Sequence, residues 1–437
     1  MLIRYLHCLR QTISSDLNPT SRRGRLVREA GWIFLIWTTA SVLGLVSSMV
    51  FARALGSYSF GLYSSVMAWQ GLIGVFAGLG LGVYILKKSS QTDSADVPQL
   101  VGWADRWLLL SGIIGGGILI VLGVILPFSQ ENLLLFLAAA PLPFLGRLIE
   151  VRKSALRGLG RTVLSQWPPL VLAPGVVLAG ISLHLLLKLP VTPHVIVTYN
   201  IFSLLLVLLM YALRLKASYK RQQHDRLNVS IRAALPFVLV SALVLMNQRV
   251  DIIIIGILGS QNEVGLYAVA SKGSELVNYS LIIVNTVIAQ RLATSYKDGD
   301  LAAMQRLLTA TVRRAFFAAS VPALLLVFFG SEILVLFFGK EYAQASTALS
   351  ILAFAQLLNV GAGSVAMLLN MTDGEKIVAM GVGAALIINI ILNWILIPLY
   401  SIQGAAIATG VSLIVWNVIL VLSIRNRLNL RPTVFGL

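Results

Sequence analysis

Apolar residues dominate the chain from residue 31 to residue 424, and short polar segments interrupt them about once per bilayer crossing. A helix needs roughly 20 apolar residues to cross a membrane. The pattern predicts crossings at residues 31–52, 61–85, 106–128, 132–147, 164–186, 191–213, 232–258, 265–290, 314–338, 344–371, 377–398 and 403–424. These runs lack the alternation of barrel strands, and helices satisfy their own backbone in lipid. We therefore expect an all-α integral membrane protein with about 12 transmembrane helices.

Lysine and arginine are concentrated on alternate loops. If the N-terminal segment is on the inner side, the inner segments carry 29 of the 34 Lys and Arg. The outer loops carry three, Arg53, Lys188 and Lys340. This asymmetry follows the positive-inside rule, and it predicts a multi-pass protein of the cytoplasmic membrane with both termini in the cytoplasm. Basic loops of this kind lie against anionic lipid headgroups, so the net charge of +17 does not predict a nucleic-acid partner.

Composition and motifs narrow the function classes further. The chain is 57% hydrophobic and 12% charged, and no loop is long enough to fold as a domain outside the membrane. Its one cysteine, Cys8, and its four scattered histidines form no metal-ligand spacing. There is no Walker A motif and no catalytic set. We therefore expect a protein that acts within the membrane or at its faces, without a metal or another cofactor, and not an enzyme.

A weak repeat relates the two halves of the chain. The triplet LGS at residues 55–57 precedes GLY at 61–63, and LGS at 258–260 precedes GLY at 265–267. Both copies lie between the first and second predicted helices of their half. Because each half has an even number of crossings, the halves would be parallel repeats related by an axis along the membrane normal.

The polar segments define the expected domain organisation. It comprises a cytoplasmic tail at residues 1–30, a six-helix half at 31–214, a basic linker at 215–231, a second six-helix half at 232–424 and a tail at 425–437. The first tail holds no signal-peptide core followed by a cleavage site, so the first helix is expected to act as the uncleaved insertion signal.

Ionisable side chains inside two apolar helices are the candidate site. The seventh helix carries Asn247, Arg249 and Asp251, and the eighth carries Lys272 and Glu275. Charges at membrane depth are costly unless they face a wet cavity or a partner. Helix geometry places Arg249 about 13 Å and Lys272 about 10 Å below the outer ends of their helices, so both lie at a similar depth in the membrane. Arg249 and Asp251 are two residues apart and point to nearly opposite sides, so we do not expect them to face one cavity.

This charged layer has a structural and a functional interpretation. In the first, Asp251 pairs with Lys272 between adjacent helices and Glu275 completes the set. In the second, Asp251 and Glu275 take part in coupling. Arg249 has no obvious acid on its own face, which favours a functional role. An arginine in a cavity would bind phosphate with its planar fork of donors.

Uncharged polar residues also interrupt the apolar helices of the second half. Asn359 and Asn370 form one pair, and Asn389 and Asn393 form a second at i, i+4 spacing. We predict that these amides make hydrogen bonds between helices.

Several segments resemble polysaccharide flippases. They are FGKEYAQASTALSILAFAQLLN (residues 338–359), LLNMTDGEK (368–376), NIILNWILIPLYSIQGAAIAT (389–409), ARALGSYSFGLYS (52–64) and ALRGLGRTVLSQ (155–166). Their order and spacing extend over nearly the whole chain. The sequence departs from the family at Ser401, where glycine is usual, and we expect the serine to be tolerated.

The resemblance implies membership of the multidrug/oligosaccharidyl-lipid/polysaccharide exporter superfamily. It implies two pseudo-symmetric six-helix lobes around a central cavity. The polysaccharide branch moves undecaprenyl-diphosphate-linked oligosaccharide across the bacterial inner membrane for surface polysaccharides, O-antigen of lipopolysaccharide included. The lipid-linked oligosaccharide and the lipid bilayer would be the main partners, with a polymerase and glycosyltransferases as further ones. We expect a monomer.

The candidate residues acquire roles under this resemblance. Arg249 would contact the carrier diphosphate, with Asn247 beside it, and Lys272 would either assist or be held by Asp251. Arg53, at the outer end of the first helix, is the corresponding candidate in the other lobe. The turns at residues 56–61 and 259–265 would separate as the lobes rock.

Two other functions compete with the flippase. A drug or organic-cation exporter of the same superfamily should have an acidic cavity, and the charged layer here is at least as basic as acidic. A polytopic sugar polymerase or ligase should have a sizeable outer loop, and the outer loops here are short.

Overall fold

The computed structural model describes residues 22–92, 94, 96–126, 130–216 and 231–436, and all regular elements in this part of the chain are helical. The α-helices are α1 (Arg22–Ala77), α2 (Leu81–Ser89), α3 (Val97–Ile125), α4 (Gln130–Ala139), α5 (Leu142–Gly158), α6 (Thr162–Trp167), α7 (Ala173–Leu186), α8 (Pro193–Lys216), α9 (Leu235–Leu258), α10 (Gln261–Lys297), α11 (Leu301–Phe328), α12 (Gly330–Phe337), α13 (Ser346–Ala362), α14 (Val365–Asn370) and α15 (Glu375–Leu428). Most of the expected N-terminal tail, with Cys8, and most of the expected linker lie outside the described residues.

The number of crossings agrees with the sequence. Among the described residues, nine helices are long and apolar enough to span a membrane, or ten when the bent helix α10 is counted as one span. Non-helical residues divide α1 at Gly56 and α15 at Ser401. Each of these two helices therefore supplies two crossings, and the total becomes twelve.

Contacts across the two breaks show that the chain reverses there. The rings of Phe51 and Tyr63 are 6.1 Å apart, although twelve residues of straight helix would span about 18 Å. The amide of Asn389 donates to the hydroxyl of Ser412 at 3.3 Å. Gly56 has φ 75°, and Ser401 has φ 50°. Glycine adopts a positive φ at no steric cost, whereas serine does so under strain.

Proline explains two irregular spans in the first half. The fourth crossing is broken at Ala140 and Pro141, between α4 and α5. The fifth crossing contains a π-helical turn at Pro168–Leu172. Proline lacks the backbone N–H of the helical ladder and disturbs the preceding turn. The fourth predicted span, residues 132–147, is the shortest of the twelve, and the fifth, residues 164–186, contains Pro168, Pro169 and Pro174.

The packing of the apolar side chains forms two lobes. Separate clusters lie within each half, for example Leu135 with Phe136 in the first and Leu292 with Leu308 in the second. The largest cluster joins the halves, because residues of α1 meet residues of α9, α10 and α13 in it. A second cluster packs Ala234, just before α9, against Leu81 and Leu100 of the first half. Two internally packed bundles that meet at an interface are the arrangement that the repeat predicted.

The C-terminal segment after α15 packs back on the second lobe. The Val434 amide donates to the Gly361 carbonyl at 2.9 Å, and the Gln305 amide donates to the Arg431 carbonyl at 2.8 Å. This segment therefore packs against α11 and the C-terminal end of α13.

Candidate functional site

A cavity of about 920 Å³ lies between the two lobes of the described chain. Its wall comes from both halves, with α1, α7 and α8 on one side and α9, α10, α13, α14 and α15 on the other. Five of the six predicted site residues line it, and all five lie on α9 and α10, namely Asn247, Arg249, Asp251, Lys272 and Glu275. The sequence therefore located the cavity wall of the second lobe.

Arg249 is exposed to the cavity. No hydrogen bond or ion pair joins its guanidinium to another side chain in the described part of the chain. The charge of Arg249 interacts electrostatically with Tyr63 of the first lobe. The Tyr63 hydroxyl also accepts a hydrogen bond from the Asn200 amide at 3.4 Å. The guanidinium thus has its donors available in the cavity between the lobes.

Asp251 is buried, with 7% of its surface exposed. It accepts hydrogen bonds from the Asn393 amide at 2.7 Å, the Thr409 hydroxyl at 3.0 Å and the Tyr267 hydroxyl at 3.1 Å. All three donors are neutral and come from α10 and α15. The expectation that Asp251 and Arg249 avoid a common cavity was wrong, because both line it. They do so differently: the carboxylate is bonded into the wall, and the guanidinium is exposed.

Lys272 is paired with Glu275 one turn later on α10, with 2.6 Å between its ammonium and the carboxylate. The structural alternative, an ion pair between Lys272 and Asp251, is therefore wrong. A same-helix partner was closer, because residues three apart share a helix face. The pair is partly exposed to the cavity and is electrically neutral as a unit.

Arg53 lies away from the cavity wall, on the face of the bundle opposite the helix ends at Arg22 and Leu428. Its guanidinium donates to the carbonyl oxygen of Leu336. The Ser57 amide and hydroxyl both donate to the Glu341 carboxylate, at 3.0 and 2.7 Å. The Tyr342 hydroxyl donates to the Ala52 carbonyl at 3.1 Å. These contacts tie the first lobe to the second at this face.

The two repeat turns meet at the same face. A Cβ added at Gly61 would overlap the carbonyl oxygen of Gln261, and one added at Gly265 would overlap that of Ser57. Each glycine thus touches the residue four positions before the other glycine. This reciprocity is what a pseudo-two-fold axis along the bundle requires. Only glycine permits such close approach of helix backbones.

Sequence reasoning missed several polar residues of the site. Tyr63 and Tyr267 are the last residues of the two GLY triplets. Tyr63 interacts electrostatically with Arg249, and the Tyr267 hydroxyl donates a hydrogen bond to Asp251. Their equivalent repeat positions were a signal that could have identified them. Glu341 and Asn200 carried no such signal, because their partners lie far away in the chain.

Three of the four predicted amides of the second half make the expected bonds between helices. Asn389 bonds Ser412, and Asn393 bonds Asp251. Asn359 donates to Asn278 at 3.3 Å and accepts from Asn417 at 2.9 Å. Asn370, in contrast, is exposed at the end of α14.

The fold is similar to that of solved membrane transporters. Lipid II flippase MurJ in an inward closed conformation superposes with a TM-score of 0.71 at 15% identity, covering 90% of this chain and 87% of that one. An inward-facing multidrug resistance MATE family transporter of the MOP superfamily gives 0.63 at 14% identity, covering 89% and 94%. At these identities the likeness shows the fold alone, and it confirms the two-lobe architecture.

Two curated proteins are similar in sequence. The probable low-salt glycan biosynthesis flippase Agl15 of Haloferax volcanii is 28% identical over 171 residues, or 39% of this chain and 36% of that protein. The capsular polysaccharide biosynthesis protein CapF of Staphylococcus aureus is 26% identical over 179 residues, or 41% and 45%. Both matches span less than half of the relative.

The sequence model of the family described as "Polysaccharide biosynthesis protein" matches residues 26–289. This stretch is more than half of the chain and includes the first lobe, Arg249, Asp251 and Lys272. The match agrees with the resemblance carried by the motifs and with the transporter fold. The chain therefore belongs to the polysaccharide biosynthesis protein family.

Proposed function

We propose that the protein is a flippase that carries an undecaprenyl-diphosphate-linked oligosaccharide across the cytoplasmic membrane by alternating access. The observation that supports this most directly is Arg249, a cation exposed in the cavity between the lobes with no partner among the described side chains. The family and the similarity to the probable glycan biosynthesis flippase Agl15 support a lipid-linked glycan as the substrate class.

The charge of the cavity favours an anionic ligand. Lys272 and Glu275 neutralise each other, and Asp251 is occupied by neutral donors. Among the described side chains of the wall, Arg249 is the charged group that is exposed to the cavity without a partner, whereas the Asp251 carboxylate is buried in the wall. A diphosphate offers the oxygen pairs that a guanidinium binds in bidentate fashion. An organic-cation exporter would instead need an accessible free carboxylate.

We assign the remaining site residues by their positions. Asn247 lies two residues before Arg249 on the cavity wall and is proposed to contact the substrate beside the diphosphate. Lys272 assists from its pair with Glu275. Arg53 is reassigned from the diphosphate to the contact between lobes, because it bonds Leu336 outside the cavity wall.

The conformational cycle would use the two lobes, residues 31–214 and 232–424, as moving bodies. The Gly61 and Gly265 turns, with the link from Glu341 to Ser57, hold one face of the bundle together. With both termini cytoplasmic this is the outer face. Asp251 is proposed as a coupling residue. Its neutral donors come from α10 and α15, so a change in the packing of these two helices would change its hydrogen bonds.

The test is Arg249→Ala, with glycan export measured beside the abundance of the protein in the membrane. We expect export to be lost at normal abundance. Arg249→Lys should recover only part of it, because an ammonium cannot make the bidentate contacts of a guanidinium. Arg314→Ala is the matched control, since Arg314 is an exposed helical arginine outside the cavity wall. Normal export by Arg249→Ala would remove the residue from the mechanism, and lost abundance would support a structural role.

A further inference from the structure

Four uncharged amide side chains meet at one side of the cavity. We call them the amide cluster; they are Asn278, Gln356, Asn359 and Asn417. Asn359 donates to Asn278 at 3.3 Å and to Gln356 at 3.5 Å, and Asn417 donates to Asn359 at 2.9 Å. The cluster joins α10, α13 and α15. The diphosphate contact proposed above leaves this surface without a ligand.

Polar atoms at this side of the cavity have hydrogen-bonding capacity left over. The Oδ1 atoms of Asn417 and Asn285 and the Oγ of Ser364 are buried and have no partner in the described part of the chain. Asn417 is 6% exposed and Ser364 is 2% exposed. All three residues line the cavity. A buried polar group without a partner is costly, so these atoms are suited to a ligand that supplies one.

The kind of atom restricts the ligand. Two of the three are amide carbonyl oxygens, which only accept hydrogen bonds. A phosphate oxygen also only accepts, so the carrier diphosphate cannot bind them. Sugar hydroxyls both donate and accept, and an N-acetyl group donates through its N–H. Trp416, the neighbour of Asn417, also lines the cavity and presents a flat apolar ring beside a polar edge.

The backbone at this position is interrupted. The helix α13 ends at Ala362, Gly363 has φ 85°, and α14 begins at Val365. Irregular backbone at membrane depth is tolerated where it lines a cavity, and broken helices of transporters commonly form the substrate site. Gly363 and Ser364 both line this cavity.

One helix face connects the cluster with the charged layer. Lys272, Glu275, Asn278 and Asn285 all lie on α10 and line the cavity. At 1.5 Å per residue, Asn278 lies about 9 Å and Asn285 about 20 Å beyond Lys272 along the axis. A diphosphate near Arg249 and Lys272 would therefore place the first sugars of its glycan against the amide cluster.

We propose that the amide cluster binds the sugars next to the carrier diphosphate, so that the protein selects a carrier that bears a glycan over the bare carrier. The unpartnered oxygens of Asn285, Ser364 and Asn417 make the hydrogen bonds to the sugars. Asn359, bonded to Asn278, holds the Asn417 amide in place, and Trp416 packs on a sugar ring. This inference rests on the proposed function, because that function makes a glycan-bearing carrier the substrate.

The test is equilibrium binding to the purified full-length protein in lipid nanodiscs. The probes are radiolabelled undecaprenyl diphosphate and the same carrier bearing N-acetylglucosamine or galactose. We expect the wild type to bind at least one sugar-bearing carrier about 10-fold more tightly than the bare carrier. Asn359→Leu should bind all three within about 2-fold of each other while keeping the wild-type affinity for the bare carrier. Asn278→Ala is the second variant should Asn359→Leu fail to fold, and the exposed Asn370→Ala is the matched control.

The outcomes separate the two proposals. Equal binding of all carriers by the wild type, or an unchanged preference in the amide variants, overturns the role of the cluster. Arg249→Ala should lose affinity for bare and sugar-bearing carriers alike. If it binds both as the wild type does, the diphosphate contact is wrong, whereas a lost preference in the amide variants would still support the glycan contact.

Discussion

Replacing Gly61 by alanine should weaken the contact between the two lobes at the face opposite the termini. A Cβ at Gly61 would lie 2.7 Å from the Gly265 nitrogen and 2.8 Å from the Gln261 carbonyl carbon. Ordinary contacts between such atoms lie at about 3.5 to 4.0 Å, and the Gln261 carbonyl oxygen lies closer still, so the helices must move apart by more than about 1 Å. These atoms belong to the backbone and cannot rotate away as a side chain could.

The size of the effect follows from the cost of this overpacking. Forcing an extra carbon into a tight contact costs about 1 to 3 kcal/mol. Because the cost falls on the conformation in which the turns touch, the equilibrium should shift toward separated turns by about 5- to 150-fold. Gly117→Ala is the matched control, since Gly117 is also helical and a Cβ there would meet nothing within 4 Å.

The assay is double electron–electron resonance between spin labels at Tyr58 and Lys340, in a Cys8→Ser background. Both positions are exposed, and they lie on opposite lobes. We expect a longer distance population to grow in Gly61→Ala and to be unchanged in Gly117→Ala. Export should fall in the first variant only. An unaltered distance distribution in Gly61→Ala would refute the idea that these turns must touch to close this face.

Two substitutions and one topology experiment test other parts of the structure. The free energy of unfolding of Ser401→Gly should exceed that of Ser401→Ala by about 1 to 2 kcal/mol, because both variants lose the bond to Glu263 but only glycine relieves the strain of the positive φ. Equal thermal stability of the two purified variants would contradict this. Asp251→Asn should keep membrane abundance and reduce export, whereas Asp251→Ala should lower abundance, because it removes the acceptor shared by Tyr267, Asn393 and Thr409, at a cost of about 1 to 3 kcal/mol; full export by Asp251→Asn would exclude coupling. Reporter fusions after residues 56, 263 and 340 should report the outer side, and fusions after residues 221 and 427 the inner side; an outer signal at 221 would contradict the two parallel halves.

The sequence alone determined the membrane location, the number of crossings and the two-lobe plan. Lipid imposes these features locally, because each crossing must be long, apolar and self-bonded. The two copies of LGS and GLY also indicated where the lobes would be equivalent. The resemblance at residues 52–64, 155–166 and 338–409 gave the family that the comparisons then confirmed. Arg249 and Lys272 stood out since charges inside apolar helices are rare.

The partners of those charges were decided by the tertiary structure. Which acid meets Lys272 depends on helix rotation, and Glu275 on the same face lies closer than Asp251. The donors to Asp251 come from Tyr267, Asn393 and Thr409, up to 158 residues away in the chain. Arg53 reads as a helix-end arginine in the sequence, and only the packing of the lobes takes it to Leu336 and away from the cavity. Local pattern fixes depth and periodicity, whereas the facing of side chains follows from how whole helices pack, which no short segment encodes.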